Sequence, residues 1–361
     1  MNQTPSSSKS PSASAINGST VSGSAKSGGG DLVIDRYQKE QEEYARQLAR
    51  DLGPGPVKLF DTEGVSEIGM NPGSRYIWYD GPEGPVESDY YVSSANVLAF
   101  LNRISSDRGE VLNANSPTIE AALPTPIFKG ARIAGQVPPV VNNPAFSIRV
   151  PSTLLITLDE YEKQGAMSAN QRSAVESAIK EMKNIFVIGG TGSGKTTLAQ
   201  AILYKISQIF PHQRIVTIED TPELNIHSWN THQLFTSAAR PGSNGFGLDD
   251  ALMATLRLAP KRIIVGESRG PSILMLMDIL LTGHPGGLST FHAETVPKAL
   301  NRMLGYCMRA SNTEAHRTTI ADAAQCLIVL NRLPSGKRVV TEMAFCRGLT
   351  DDGRYDLKFI N

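Results

Sequence analysis

Asn184-Ile-Phe-Val-Ile-Gly-Gly-Thr-Gly-Ser-Gly-Lys-Thr-Thr197 decides how this chain is read. An unbroken apolar run, Ile185 to Ile188, predicts a buried β-strand, and it leads straight into Gly189-x4-Gly194-Lys195-Thr196, the spacing of a phosphate-binding loop. Glycines let the backbone curl until successive amide N–H groups point at one anion. Lys195 adds a point charge, and the Thr196 hydroxyl can ligate Mg2+. Thr196-Thr-Leu-Ala-Gln-Ala-Ile-Leu-Tyr204 has the apolar spacing of the helix that should open behind such a loop. The segment implies a bound nucleoside triphosphate, contacted by Gly189, Gly190, Thr191, Gly192, Ser193, Gly194, Lys195, Thr196 and Thr197.

Three further segments carry chemistry. Arg214-Ile-Val-Thr-Ile-Glu-Asp220 is an apolar strand ending in two carboxylates, and Glu219 and Asp220 are candidates to hold Mg2+ directly or through water. The plainer alternative is that they cap the following turn. Ile263-Ile-Val-Gly-Glu267 is a second buried strand with a carboxylate at its tip. Glu267 is the candidate for polarising the attacking water; its structural alternative is an ion pair with Arg257 or Arg269. Gly266 occupies the place where an Asp usually precedes such a Glu, so metal ligation would rest on Thr196 with Glu219 or Asp220. In Thr282-Gly-His-Pro-Gly-Gly-Leu-Ser-Thr-Phe-His292-Ala-Glu294, both His284 and His292 are candidates to face the phosphates, with His292 the preferred γ-phosphate sensor. Zinc is not expected there, since neither nearby Cys nor a His-x3-His spacing is present.

Working outward, residues 1–30 are Ser/Gly-rich with almost no large apolar side chain, the composition of a disordered tail. A charged helix is predicted from Val33 to Leu52, ended by Gly53-Pro-Gly-Pro56. Short strand-like runs (75–79, 118–123, 131–137 and 145–150) around one helix near 95–104 make residues 31–150 a smaller α+β domain. Residues 151–165 read as a linker with a short helix. Over 166–361 the rhythm becomes strand–helix, explicit from 184 to 309, which predicts an α/β fold with a mainly parallel sheet flanked by helices and nucleotide at the carboxyl ends of the strands.

Lys plus Arg and Asp plus Glu both number 35, so no global basic field draws the chain to nucleic acid, and no direct nucleic-acid binding is expected. Three widely spaced cysteines suggest neither a disulfide framework nor a zinc ribbon and fit a reducing cytosol. No apolar run reaches the roughly 18 residues of a spanning helix, so any membrane association is expected to be peripheral.

Taken in order, GGTGSGKTT (189–197), TIEDTPEL (217–224), LRLAPKRIIVGESRG (256–270) and TGHPGGLSTFHAET (282–295) resemble the secretion ATPase family of type IV secretion, type II secretion and pilus motors. In that family the four are Walker A, Asp box, Walker B and His box, and the Gly-Glu form of Walker B is usual. Gln136-Val-Pro-Pro-Val-Val-Asn-Asn-Pro-Ala-Phe-Ser-Ile-Arg-Val-Pro151 resembles its conjugal transfer branch. Many type II enzymes carry a tetracysteine module that is absent here.

The resemblance implies a RecA-like P-loop NTPase domain, ATP with Mg2+, and a ring-shaped homohexamer at the cytoplasmic face of the inner membrane that works with other components of a secretion or conjugation machine. It also implies arginines of the N-terminal domain that reach the phosphates; Arg149 and Arg132 stand at the matching positions. Lys261 and Glu294 depart from the common Asp and Asn of relatives. An ATP-gated assembly component without turnover and a DNA-dependent translocase are the other readings of such a core. Glu267 speaks against the first, and the neutral charge without a basic, aromatic-interleaved strand against the second.

Overall fold

A computed structural model describes residues 30–151, 155–237, 244–311 and 315–361, with side chains from residue 38 onward. The tail expected over 1–30 lies outside the described residues apart from Gly30, as do 152–154 of the expected linker. The first helix, α1 (Gly30–Leu52), buries Ala45, Leu48 and Leu52 along one stripe. At Gly53 the backbone turns to φ +91°, which a side chain disfavours, and a short helix, α2 (Pro54–Lys58), follows at once.

Next come β1 (Glu67–Met70), β2 (Tyr76–Gly81), β3 (Gly84–Tyr91), α3 (Ser94–Asp107), β4 (Thr118–Ala122), β5 (Arg132–Gln136) and β6 (Ala145–Arg149). Ser93 caps α3 by accepting from the Asn96 amide. The six strands form one antiparallel sheet in the order β3-β2-β1-β6-β5-β4. Period-two alternation sends Ile68, Ile77, Ile133 and Ile148 to a core shared with Phe100, Leu101 and Ile104 of α3. Arg103 of α3 ties α1 down, donating to Asp51 (2.6 Å) and Gln47 (2.9 Å). On the opposite face Glu67 stands across from Arg149, and Arg149 across from Arg132, in the strand register. The strand-like runs did not foresee β1 and β3: the first is four residues long, and the second is a charged edge strand whose Pro85 only an edge tolerates.

The second half contains α4 (Leu158–Lys163), α5 (Ala169–Lys180), β7 (Ile185–Ile188), α6 (Lys195–Ile209), β8 (Ile215–Glu219), β9 (Thr231–Phe235), α7 (Leu248–Thr255), β10 (Arg262–Val265), α8 (Ser272–Leu281), β11 (Leu288–Phe291), α9 (Val296–Ala310), α10 (Ala315–Ala323), β12 (Cys326–Arg332), β13 (Arg338–Leu349) and β14 (Tyr355–Phe359). Thr157 and Ser168 open α4 and α5 with capping boxes. The sheet order is β14-β13-β12-β7-β11-β10-β8-β9, parallel from β12 to β9 and antiparallel at β13 and β14. Both faces are covered. Phe186 and Ile188 pack toward α7–α10, Ile185 and Val187 toward α4–α6, which is why β7 has no polar position. The strand–helix rhythm breaks off at 309 because β13 and β14 return as a non-local antiparallel extension, while β9 is a polar edge strand. Among the described residues no helix is long and apolar enough to cross a membrane.

Candidate active site

The loop after β7 is shaped by sterics. A Cβ on Gly189 would collide with the Leu330 carbonyl and the Ser193 hydroxyl, and Gly194 sits at φ +93° as the residue that opens α6. With no side-chain cap, the first-turn amides of α6 are left for an anion, and the helix dipole favours one. Lys195 is almost buried and donates from Nζ to the Gly190 carbonyl (2.8 Å). Burial holds its pKa below the usual lysine value. Thr191, Gly192, Lys195 and Thr196 line the cleft in front of the loop; Thr197 lies one position further along α6 and does not.

Sheet order supplies the next components. Because β11 lies between β7 and β10, and β10 between β11 and β8, the carboxyl ends of the four strands bring the phosphate loop, His292, Glu267 and Glu219 side by side. His292 Nδ1 is 3.5 Å from Lys195 Nζ and Nε2 is 3.4 Å from Glu267 Oε1. An ammonium only donates, so these neighbours assign the lone pair to Nδ1 and the proton to Nε2, facing Glu267. Burial first, then the Lys195 charge, lowers the imidazole pKa and favours this neutral form. Glu267 lies beside His292, while Arg269, one of the two ion-pair partners weighed as its structural alternative, pairs with Asp220 instead.

Glu219 is engaged through one oxygen only. Its Oε1 accepts the Glu223 and Leu224 amides (3.0 and 2.9 Å), which is turn capping, but its buried Oε2 has no partner. Burial pushes this carboxyl up to about 7. Gly266 lies beside it, just past the end of the adjacent strand β10, and a Cβ there would come within 3.2 Å of Glu219 Cγ. Asp220 is already engaged, accepting from Thr236 (2.7 Å) and from Arg269. Among the described residues no three His, Cys, Asp or Glu side chains converge as a self-sufficient metal site. The orphaned Glu219 oxygen with the Thr196 hydroxyl fits a Mg2+ ion that takes its remaining ligands from phosphate and water.

The other wall comes from the six-stranded sheet. Arg132 and Arg149 are cross-strand partners on β5 and β6, and both line the same cleft. Arg132 pairs with Glu120 (3.2 Å), whereas Arg149 has no hydrogen-bond or ion-pair partner among the described residues. The Arg149 charge contributes to lowering the pKa of both Lys195 and His292. Two guanidiniums directly opposite repel, and an anion between them relieves this.

One expectation is overturned. His284 does not face the phosphates: it precedes β11 at the amino end of the sheet, where the adjoining Gly286 carbonyl accepts from Arg262, the first residue of β10 (2.8 Å). A four-residue strand of about 13 Å separates it from His292, so only one histidine can reach the site. Two residues were missed. Arg269 was considered only as a partner of Glu267. Arg338, at the start of β13, donates from Nε to the Gly192 carbonyl (3.3 Å), and nothing in the local sequence signals a contact 146 residues away.

The profile of the type II/IV secretion system protein family matches residues 117–343. A probable conjugal transfer protein TrbB of Sinorhizobium fredii is 34% identical over 294 residues, covering 81% of this chain and 87% of the relative. The conjugal transfer protein TrbB of Rhizobium radiobacter is 35% identical over 294 residues, with 81% and 88% covered. The X-ray structure of the Legionella pneumophila ATPase DotB shares the fold, with a TM-score of 0.57, 17% identity and coverage of 88% and 82%. The profile runs from β4 to β13 across both walls of the cleft, and relatives above 30% identity span most of both lengths: the chain belongs to the type II/IV secretion system protein family.

Proposed function

We propose that this chain hydrolyses ATP and uses the cycle to energise a type IV secretion machine of the conjugal transfer kind. The observation that carries the reading is the cleft itself. The phosphate loop, Glu219, Glu267 and His292 line it from one sheet, and Arg132 and Arg149 from the other. The conjugal transfer assignment rests on the relatives at 34% and 35% identity. We assign residues 31–150 to an N-terminal α+β domain, 151–165 to a linker and 166–361 to a RecA-like ATPase domain, working as a homohexamer associated peripherally with the cytoplasmic face of the inner membrane.

In this reading the amides of Gly189 to Gly194 and the Lys195 ammonium hold the β and γ phosphates, and Thr197 lies near the α phosphate. Thr196 with Glu219 or Asp220 would hold Mg2+, which would supply charge neutralisation. Glu267 orients and polarises a water whose oxygen bonds to the γ phosphorus as the bond to the bridging oxygen breaks, leaving ADP and phosphate. A neutral His292 between Lys195 and Glu267 senses whether the γ phosphate is present. Arg149, with Arg132 beside it, stabilises charge spreading over the transferred group only when the two sheets close on it, which converts nucleotide state into movement.

The deciding experiment is steady-state ATP hydrolysis with Mg2+ for the full chain and for Glu267→Gln, alongside nucleotide binding. Turnover is expected for the full chain, and loss of turnover with retained ATP affinity for the variant. Wild-type turnover by Glu267→Gln would remove that residue from the mechanism. A monomeric mass at micromolar protein with ATP and Mg2+ would remove the ring.

A further inference from the structure

His292 is gripped from behind by a residue outside the cleft. Arg302, in the second turn of α9, donates from Nη1 to the His292 carbonyl oxygen (2.7 Å) and from Nε to the Tyr306 hydroxyl (3.2 Å). Its guanidinium also lies 5.6 Å from the centre of the Tyr306 ring, and Arg309 lies 5.4 Å from the same ring. Tyr306 in turn meets Phe291 edge-on at 6.2 Å. One guanidinium and one ring therefore hold two consecutive residues at the tip of β11. Among the described residues Arg302 has no carboxylate partner, so its strongest contact is this backbone carbonyl.

The imidazole contacts it supports, 3.5 Å to Lys195 and 3.4 Å to Glu267, are at the outer limit of hydrogen bonding. A backbone shift of a fraction of an ångström decides whether they form. A charge-assisted bond to the carbonyl of the same residue is well placed to control that shift.

We propose that Arg302 is a positioning residue for hydrolysis: by fixing the His292 carbonyl, and Phe291 through Tyr306, it sets the reach of the His292 imidazole toward Lys195 and Glu267 and ties α9 to the γ-phosphate end of the cleft. The inference rests on the assignment of His292 to the site. Lys at 302 keeps the charge but loses the second donor and the planar stacking surface, so it restores only part of the effect.

The test compares kcat and KM for ATP in the full chain, His292→Ala, Arg302→Gln, Arg302→Lys, and His292→Ala combined with Arg302→Gln. Arg302→Gln is expected to lower kcat by about 10-fold to 100-fold, with KM within about twofold, and Arg302→Lys to fall between it and the full chain. In the His292→Ala background the same change is expected to cost less than about twofold, because its effect is routed through the missing imidazole. Tyr306→Phe, which keeps the ring and removes the Nε acceptor, gives the same pattern at smaller size and serves if Arg302→Gln does not fold. An unchanged kcat in Arg302→Gln, or an undiminished loss in the His292→Ala background, overturns the positioning role. A wild-type kcat in His292→Ala would instead remove the reading of His292 on which the inference stands.

Discussion

The two sheets that face each other across the cleft are built on opposite plans. In the eight-stranded sheet both faces are buried, function is confined to strand tips, and the principal site side chains sit in set positions: Lys195 on Gly190, Glu219 on two amides, and His292 between Lys195 and Glu267. In the six-stranded sheet one face is a core and the other is open, and its contribution is two exposed arginines, Arg132 at the start of β5 and Arg149 at the end of β6, the second without a partner among the described residues. The first wall is set in advance by packing. The second is a charged surface on which Arg132 holds Glu120 and Arg149 holds no partner among the described residues. The difference teaches where energy can be converted: a site rigid on both sides would bind and hydrolyse without moving anything.

The sharpest way to break this comparison is at the rigid wall. Lys195→Ala is expected to lower turnover on the order of 10³-fold, by removing a fixed charge from the developing phosphate charge. Because burial already disfavours the charged lysine, the melting temperature of the nucleotide-free protein should be unchanged or higher. Arg149→Ala should cost about 10²-fold in kcat, measured under saturating ATP, since its guanidinium is uncommitted before nucleotide binds. Arg132→Ala should cost only about tenfold, because part of that charge is already spent on Glu120; equal losses at the two positions would contradict the asymmetry.

A separate expected effect, on stability rather than turnover, concerns Glu219. Its folded pKa, about 7, lies above the ordinary 4.5, so its contribution is full at low pH and is lost as pH rises through about 7. The nucleotide-free protein should therefore lose up to about 3 kcal/mol between about pH 5 and about pH 8, and Glu219→Gln should flatten that slope in denaturant titrations while impairing hydrolysis.

The strand–loop–helix of 184–209 was legible because three local signals agree: an apolar strand, glycines at the required spacing, and helical periodicity. Glu267 and Glu219 were legible as acids at the tips of apolar strands. Which carboxylate keeps an unpartnered oxygen was not, because that depends on Arg269 and Thr236 taking Asp220. The His284 expectation failed for a related reason. Two histidines around one Gly-rich turn look equivalent along the chain, but a β-strand has two ends and the intervening strand places them at opposite ones.

By itself the sequence determined a phosphate-loop pattern behind a buried strand, two acidic strand tips and a histidine segment, all written in local pattern and residue chemistry, while the pair of candidate arginines came from the family resemblance. Only the tertiary structure decided that β11 inserts between β7 and β10, so that His292 rather than His284 spans Lys195 and Glu267, and that residues as distant as Arg302 and Arg338 brace the site. The physical reason is that strand order and cross-sheet contact are set by the packing of whole faces, which no short window of the chain contains.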